Sequence, residues 1–135
     1  MANQAAAKKG DQIVATDTHV VLVPSAGGPA PRSLPHSFRG DLSNELSSNV
    51  FIQGQPAATV GSVANNYPRH LPTPPGTAFQ RPPSNRGEVT EGSRTVFING
   101  RPAARNGDAA KTCNDPVDRP VGKVVVEARA TVFMD

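Results

Sequence analysis

Apolar positions in this chain come in short runs separated by turn residues, and no helical spacing is sustained. The run Val20 to Val23 ("VVLV") is stopped by Pro24 and a Gly-Gly turn, which predicts a short strand. Two stretches share one pattern: "NVFIQGQPAATVGS" (49–62) and "TVFINGRPAARNGD" (95–108). Each places Val-Phe-Ile before a glycine and follows it with Pro-Ala-Ala and a second glycine. Val-Phe-Ile before Asn99-Gly100 predicts a tight hairpin, because a type I′ turn needs positive φ at both central residues. Gln53-Gly54 holds the matching place in the first copy, and Pro56 and Pro102 begin the returning segments, where a strand tolerates proline. The tail "VGKVVVEARATVFMD" alternates through Val124, Val126, Ala128 and Ala130. Its end, Thr131-Val132-Phe133, echoes Thr95-Val96-Phe97 and predicts a third, degenerate strand. A weak helical pattern is confined to Asp41–Leu46.

The same pattern divides the chain. Residues 1–12 read as a polar arm that orders only against something else, and residues 13–135 as a single domain. The proline-rich stretch "NNYPRHLPTPPGTAFQRPPSNRG" between the copies reads as an extended surface excursion, pinned because it links the copies and carries His70.

Composition restricts the core. Trp is absent, Tyr67 is the only tyrosine, and 5 Phe are the remaining aromatic residues. Val, Ile, Leu and Ala must therefore supply most of the buried area in 135 residues, and a small β-rich core of that kind calls for a staple. The staple is not an internal disulfide, because Cys113 is the only cysteine. The net charge is +3 with basic residues scattered singly, without the clustered basic face and stacking aromatics of a nucleic-acid binder. No apolar run approaches the length of a membrane span. "MANQAAAKKGDQ" lacks the apolar middle of a secretory signal, so synthesis in the cytosol is expected.

The second copy spells Pro102-Ala103-Ala104-Arg105 between "NG" and "NGD". Together with "HVVLVPSAGGP", "QPAATVGS", "PPSNRG" and "TCNDP", this resembles the PAAR-repeat family, whose members sharpen the spike of contractile injection systems such as the type VI secretion system. The matching motif positions are Gly54, Pro56, Ala57 and Ala58 in one copy and Gly100, Pro102, Ala103, Ala104 and Arg105 in the other; Thr59 stands where the first copy would need the arginine. The resemblance implies a mainly β, compact, cone-shaped fold with approximate internal threefold symmetry and little helix. It also implies a free monomer that caps a trimeric valine-glycine-repeat-type spike, one tip per trimer. Such a tip is assembled in the bacterial cytoplasm, expelled with the spike into transient contact with a target membrane, and able to recruit an effector or toxin. With nothing after the third strand, no fused toxin is expected.

The spacings of His19, His36, His70 and Cys113 match no recognised zinc motif. The resemblance implies that these four converge on one structural Zn²⁺ near the apex. Three imidazoles and a thiolate suit tetrahedral zinc and leave no position for water, so no enzymatic activity is expected. Two alternative functions make different demands on the same residues. A zinc-dependent hydrolase would need Cys113 out of the coordination sphere, and a stand-alone β-rich binding module would need more exposed aromatics than this chain supplies.

Overall fold

The computed structural model describes residues 3–135, and among these it holds strands and turns but no helix. The strands are β1 (Gln4–Ala5), β2 (Gln12–Val23), β3 (Ala30–Asn44), β4 (Phe51–Ile52), β5 (Gln55–Pro56), β6 (Val63–Asn66) and β7 (Ala78–Phe79). They continue as β8 (Arg86–Val89), β9 (Phe97–Ile98), β10 (Arg101–Pro102), β11 (Ala109–Thr112), β12 (Arg119–Val125) and β13 (Phe133–Met134). The fold is mainly β, as the sequence predicts.

Six strands close on themselves. In the order β12-β11-β8-β6-β3-β2 each is antiparallel to the next, and β12 returns to β2 through Val124 opposite Ile13. Closure removes the exposed edges of an open sheet. It also lets small side chains fill a core: Ile13, Phe38, Leu42, Ala64, Val89, Ala110 and Val124 are all buried in one cluster. Phe38 is the only phenylalanine buried there. Room for it comes from Gly87, where an added Cβ would meet the ring at 3.0 Å. The helical pattern at Asp41–Leu46 gives way because Leu42 belongs to the barrel interior while Asp41 pairs outside with Gln12, and period two decides the face. For the same reason the strand expected from Val20 extends back to Gln12.

The opening repeat is realised three times. Phe51 pairs with Pro56 and Ile52 with Gln55; Phe97 pairs with Pro102 and Ile98 with Arg101. Phe133 pairs with Ala5 and Met134 with Gln4 in the same register. The third copy is thus assembled from opposite ends of the sequence: "TVFMD" supplies its first strand and "QAAAKKGD" the Pro-Ala-Ala-equivalent half. The turns of the first two copies have the expected positive φ at both positions, 49° and 82° for Gln53-Gly54 and 54° and 80° for Asn99-Gly100. Within the segment read as a polar arm, Ala6, Ala7, Lys8 and Asp11 are buried in the domain. Its alanines, which look featureless in sequence, are the third copy of the central step.

The copies meet in closed rings of hydrogen bonds. The amide of Ala7 donates to Ala104 O (2.9 Å), that of Ala104 to Ala58 O (3.0 Å), and that of Ala58 to Ala7 O (3.0 Å). One step outward, Lys9 donates to Pro56 O (2.9 Å), Val60 to Pro102 O (2.9 Å) and Asn106 to Ala5 O (2.8 Å). Ala7, Ala58 and Ala104 are fully buried where the three backbones converge, and their small side chains suit so close an approach. Ala6, Ala57 and Ala103 form the next layer with Ile52 and Ile98. The turn residue of each copy also grips its neighbour. Gln53 bonds Arg129 O and the Thr131 amide, Asn99 bonds Ser47 and Asn49, and Ser93 donates to Asp135 O.

Candidate metal centre and docking face

The long β2–β3 ribbon carries three polar side chains to one place. Asp17 and His19 are two residues apart on β2 and so share a face, and Asp17 stands directly opposite His36 on β3. Along a strand rising roughly 3.3 Å per residue, His19 lies ~20 Å beyond Ile13, at the opposite end of the barrel from the outer alanine layer.

His70 comes from the proline-rich excursion. Its amide donates to Asn85 Oδ1 (2.8 Å), and Asn66 Nδ2 donates to the same oxygen (3.0 Å). The excursion is therefore pinned, as expected. Cys113 follows β11 directly.

Asp17, His19, His70 and Cys113 are all buried, and one potential ligand atom from each lies within 4.8 Å of the others. Asp17 Oδ2 accepts from His70 Nε2 (2.9 Å) and from the thiol of Cys113 (3.4 Å), while Thr112 Oγ1 donates to Oδ1. His36 stands beside the group, its ring centroid 5.4 Å from that of His19 and 5.5 Å from that of His70. Both of its nitrogens are engaged elsewhere: Nδ1 lies 2.9 Å from Leu34 O, and Nε2 accepts from the Thr73 amide at 3.1 Å. The structure thus brings together three of the residues expected to bind metal, and adds Asp17. The signal for Asp17 was present in Asp17-Thr18-His19, since alternation puts both functional groups on one strand face.

The electrostatics favour neutral donors. Burial holds His19 and His36 below the ordinary imidazole range. Burial, and then the Asp17 carboxylate, push the Cys113 thiol up to about 11. Among the described residues, His19 Nε2 is the only buried side-chain nitrogen or oxygen without a hydrogen-bond partner. An orphaned imidazole nitrogen beside a carboxylate, a thiol and a second imidazole is a donor set that fits a metal ion of the borderline-soft kind. A bound cation would replace the protons now shared by His70, Cys113 and Asp17.

At the other end of the molecule, Phe51, Phe97 and Phe133 hold equivalent positions in the three copies. They are 58%, 58% and 54% exposed, next to the buried Ile52, Ile98 and the partly buried Met134. Three outward aromatics thus stand in equivalent positions on the hairpins that carry the alanine layers.

A family model described as the PAAR motif matches residues 80–135, which span the second repeat copy, Cys113 and β13. The chain carries a PAAR motif. No curated protein and no solved structure matches it. The motif supports a role of the spike-tip type in contractile injection systems. Within the PAAR motif itself, Arg105 pairs with Asp108 (2.8 Å) and also donates to the backbone carbonyl of Gly92 (3.3 Å). Its counterpart is Lys8, paired with Asp11 at 3.1 Å, whereas the copy lacking the arginine closes the same turn with the Thr59 amide on Ser62 Oγ at 2.9 Å. The basic residue is thus present in two of the three copies.

Proposed function

We propose that this chain is the structural tip that caps a trimeric, valine-glycine-repeat-type β-helical spike, one tip per trimer. The observation that carries this reading is the closed three-copy ring around the alanine axis. One chain that repeats the same hairpin three times presents like edges in three directions, and three spike chains present the same in return. The Phe51, Phe97 and Phe133 face is the contact surface, and burial of three aromatic side chains there gives the apolar anchor such an interface needs.

The opposite end is the point. One Zn²⁺ held by His19 Nε2, His70, Cys113 and Asp17 would tie β2, the proline-rich excursion and the end of β11 together, a cross-link on the order of 10 kcal/mol in small zinc-dependent domains. Four protein donors leave no position for a substrate water, so the ion stiffens the point and has no catalytic part. The chain is assembled on its spike in the bacterial cytoplasm and expelled with it, touches the target envelope on the way, and can carry an effector bound to its flank.

Native mass spectrometry of the chain mixed with a purified trimeric spike tests the reading. A complex of one tip with three spike chains is expected. No complex, or three tips per trimer, overturns it.

A further inference from the structure

The His19 ring has a hydrogen-bond partner at one nitrogen only. Nδ1 lies 3.4 Å from Asp115 Oδ2, and Nε2, on a side chain 1% exposed, has no hydrogen-bond partner. The carboxylate that faces Nδ1 is itself held firmly. Asp115 Oδ2 also accepts the Val20 amide at 2.8 Å, and the Asp115 amide donates to Thr18 O at 2.8 Å. Asn114 Oδ1 accepts the Thr18 amide at 2.7 Å, so the backbone on either side of His19 is clamped by the pair that follows Cys113. The second carboxylate oxygen is taken by Arg81, through Nη2 at 2.7 Å and Nε at 3.1 Å, and Arg81 Nη2 also reaches Asn114 O at 3.0 Å.

An ionised carboxylate can only accept. Facing it, a neutral imidazole must carry its proton on Nδ1, which leaves Nε2 as a bare acceptor. A bare acceptor buried without a donor is costly unless an electron-pair acceptor completes it. We propose that Asp115, braced by Arg81, is a positioning residue that fixes His19 as the Nδ1–H tautomer and so presents the Nε2 lone pair to the metal ion. This rests on the metal-centre reading above. Arg81 has a second part in it. Together with Pro82 and Asn114 it lines a cleft of about 280 Å³ that reaches His19 and Cys113, so the brace also stands on a route between the ion and solvent.

Two measurements on the full chain test the inference. Long-range proton–nitrogen spectra of the metal-free protein should show His19 protonated on Nδ1, and that signature should be lost in Asp115→Ala. Transfer of Zn²⁺ to a colorimetric chelator should be 10- to 100-fold faster from Asp115→Ala than from the parent, with Asp115→Asn, which keeps an accepting oxygen, falling between them. Arg81→Gln, on a half-exposed side chain that tolerates replacement, should also speed release. His19 protonated on Nε2 in the parent, or unchanged release from both Asp115→Ala and Arg81→Gln, overturns the proposal. A parent chain that takes up no Zn²⁺ overturns the metal-centre reading instead, and the tautomer in the metal-free spectra still decides the role of Asp115.

Discussion

Ala7 donates its amide hydrogen to the carbonyl of Ala104 at 2.9 Å, and that bond joins the third repeat copy to the second. Without it the ring through Ala58 is open. The three alanines are fully buried and belong to the barrel's own cluster, while the layer of Ala6, Ala57 and Ala103 beyond them forms a second one.

Replacing any of Ala7, Ala58 or Ala104 with valine therefore forces a branched side chain between converging backbones. Each variant should lose about 1–3 kcal/mol in urea unfolding, the range for overpacking a tight site. Because the positions are equivalent, the three losses should agree closely. A valine tolerated at one of them would show that the axis is not threefold in solution.

Much of this end was legible in the chain. "VFI" before Asn99-Gly100 prescribes its own hairpin, and the echo at Thr131-Val132-Phe133 locates the third strand. The matching half was hidden because Ala5-Ala6-Ala7-Lys8 lacks the proline and arginine that mark the other copies, and because it lies at the far end of the sequence from its partner strand. Lys8 stands for Arg105 through charge, and Asp11 for Asp108, so an aligned reading of "AKKGD" against "ARNGD" would have found it. The metal centre was legible only as an inventory. Spacing along the chain says nothing of residues gathered from β2, a loop and the end of β11. That both nitrogens of His36 are already engaged depends on a Thr73 amide that no local pattern announces.

Asp17 and His36 make separable predictions. Asp17 lies among the ligand atoms, while His36 has both ring nitrogens hydrogen-bonded outside the group. Removing the ion with a chelator should lower the thermal midpoint by roughly 10 °C or more, since a ligand at a hundred times its Kd adds about 2.7 kcal/mol. Cys113→Ala should reproduce most of that loss. Asp17→Asn should weaken Zn²⁺ binding, measured by competition with a chelator, more than His36→Gln does. The reverse order would instead assign the fourth position to His36, as the family resemblance implies.

Phe51, Phe97 and Phe133 should matter for binding and not for folding. Each is more than half exposed, so Phe→Ser at one position should move stability by no more than about 0.5 kcal/mol. Affinity for a trimeric spike should fall with each replacement, and the triple variant should not bind at all. Calorimetric titration of the single, double and triple variants reads this directly. Undiminished affinity in the triple variant would move the contact surface elsewhere.

Asn85 links the excursion to the barrel, and its role can be dissected atom by atom. It is buried at φ 59°, a left-handed conformation that asparagine tolerates better than most residues. Its Oδ1 accepts from the His70 amide and from Asn66, and its Nδ2 donates to Pro83 O at 3.2 Å. Asn66 in turn accepts the Arg39 amide at 2.8 Å, so the side chain ties His70 to β3 and β6. Asn85→Ala removes all three side-chain bonds and adds backbone strain, and should cost about 2–4 kcal/mol. Asn85→Gly relieves the strain but still leaves the His70 amide without its acceptor. If the bonds to His70 matter, Asn85→Gly should speed hydrogen exchange across residues 67–73 and weaken Zn²⁺ binding. Asn85→Asp keeps an oxygen for His70 and should bind the ion more tightly than the glycine variant. Equal Zn²⁺ affinity in the glycine and aspartate variants would mean that the loop holds His70 by packing alone.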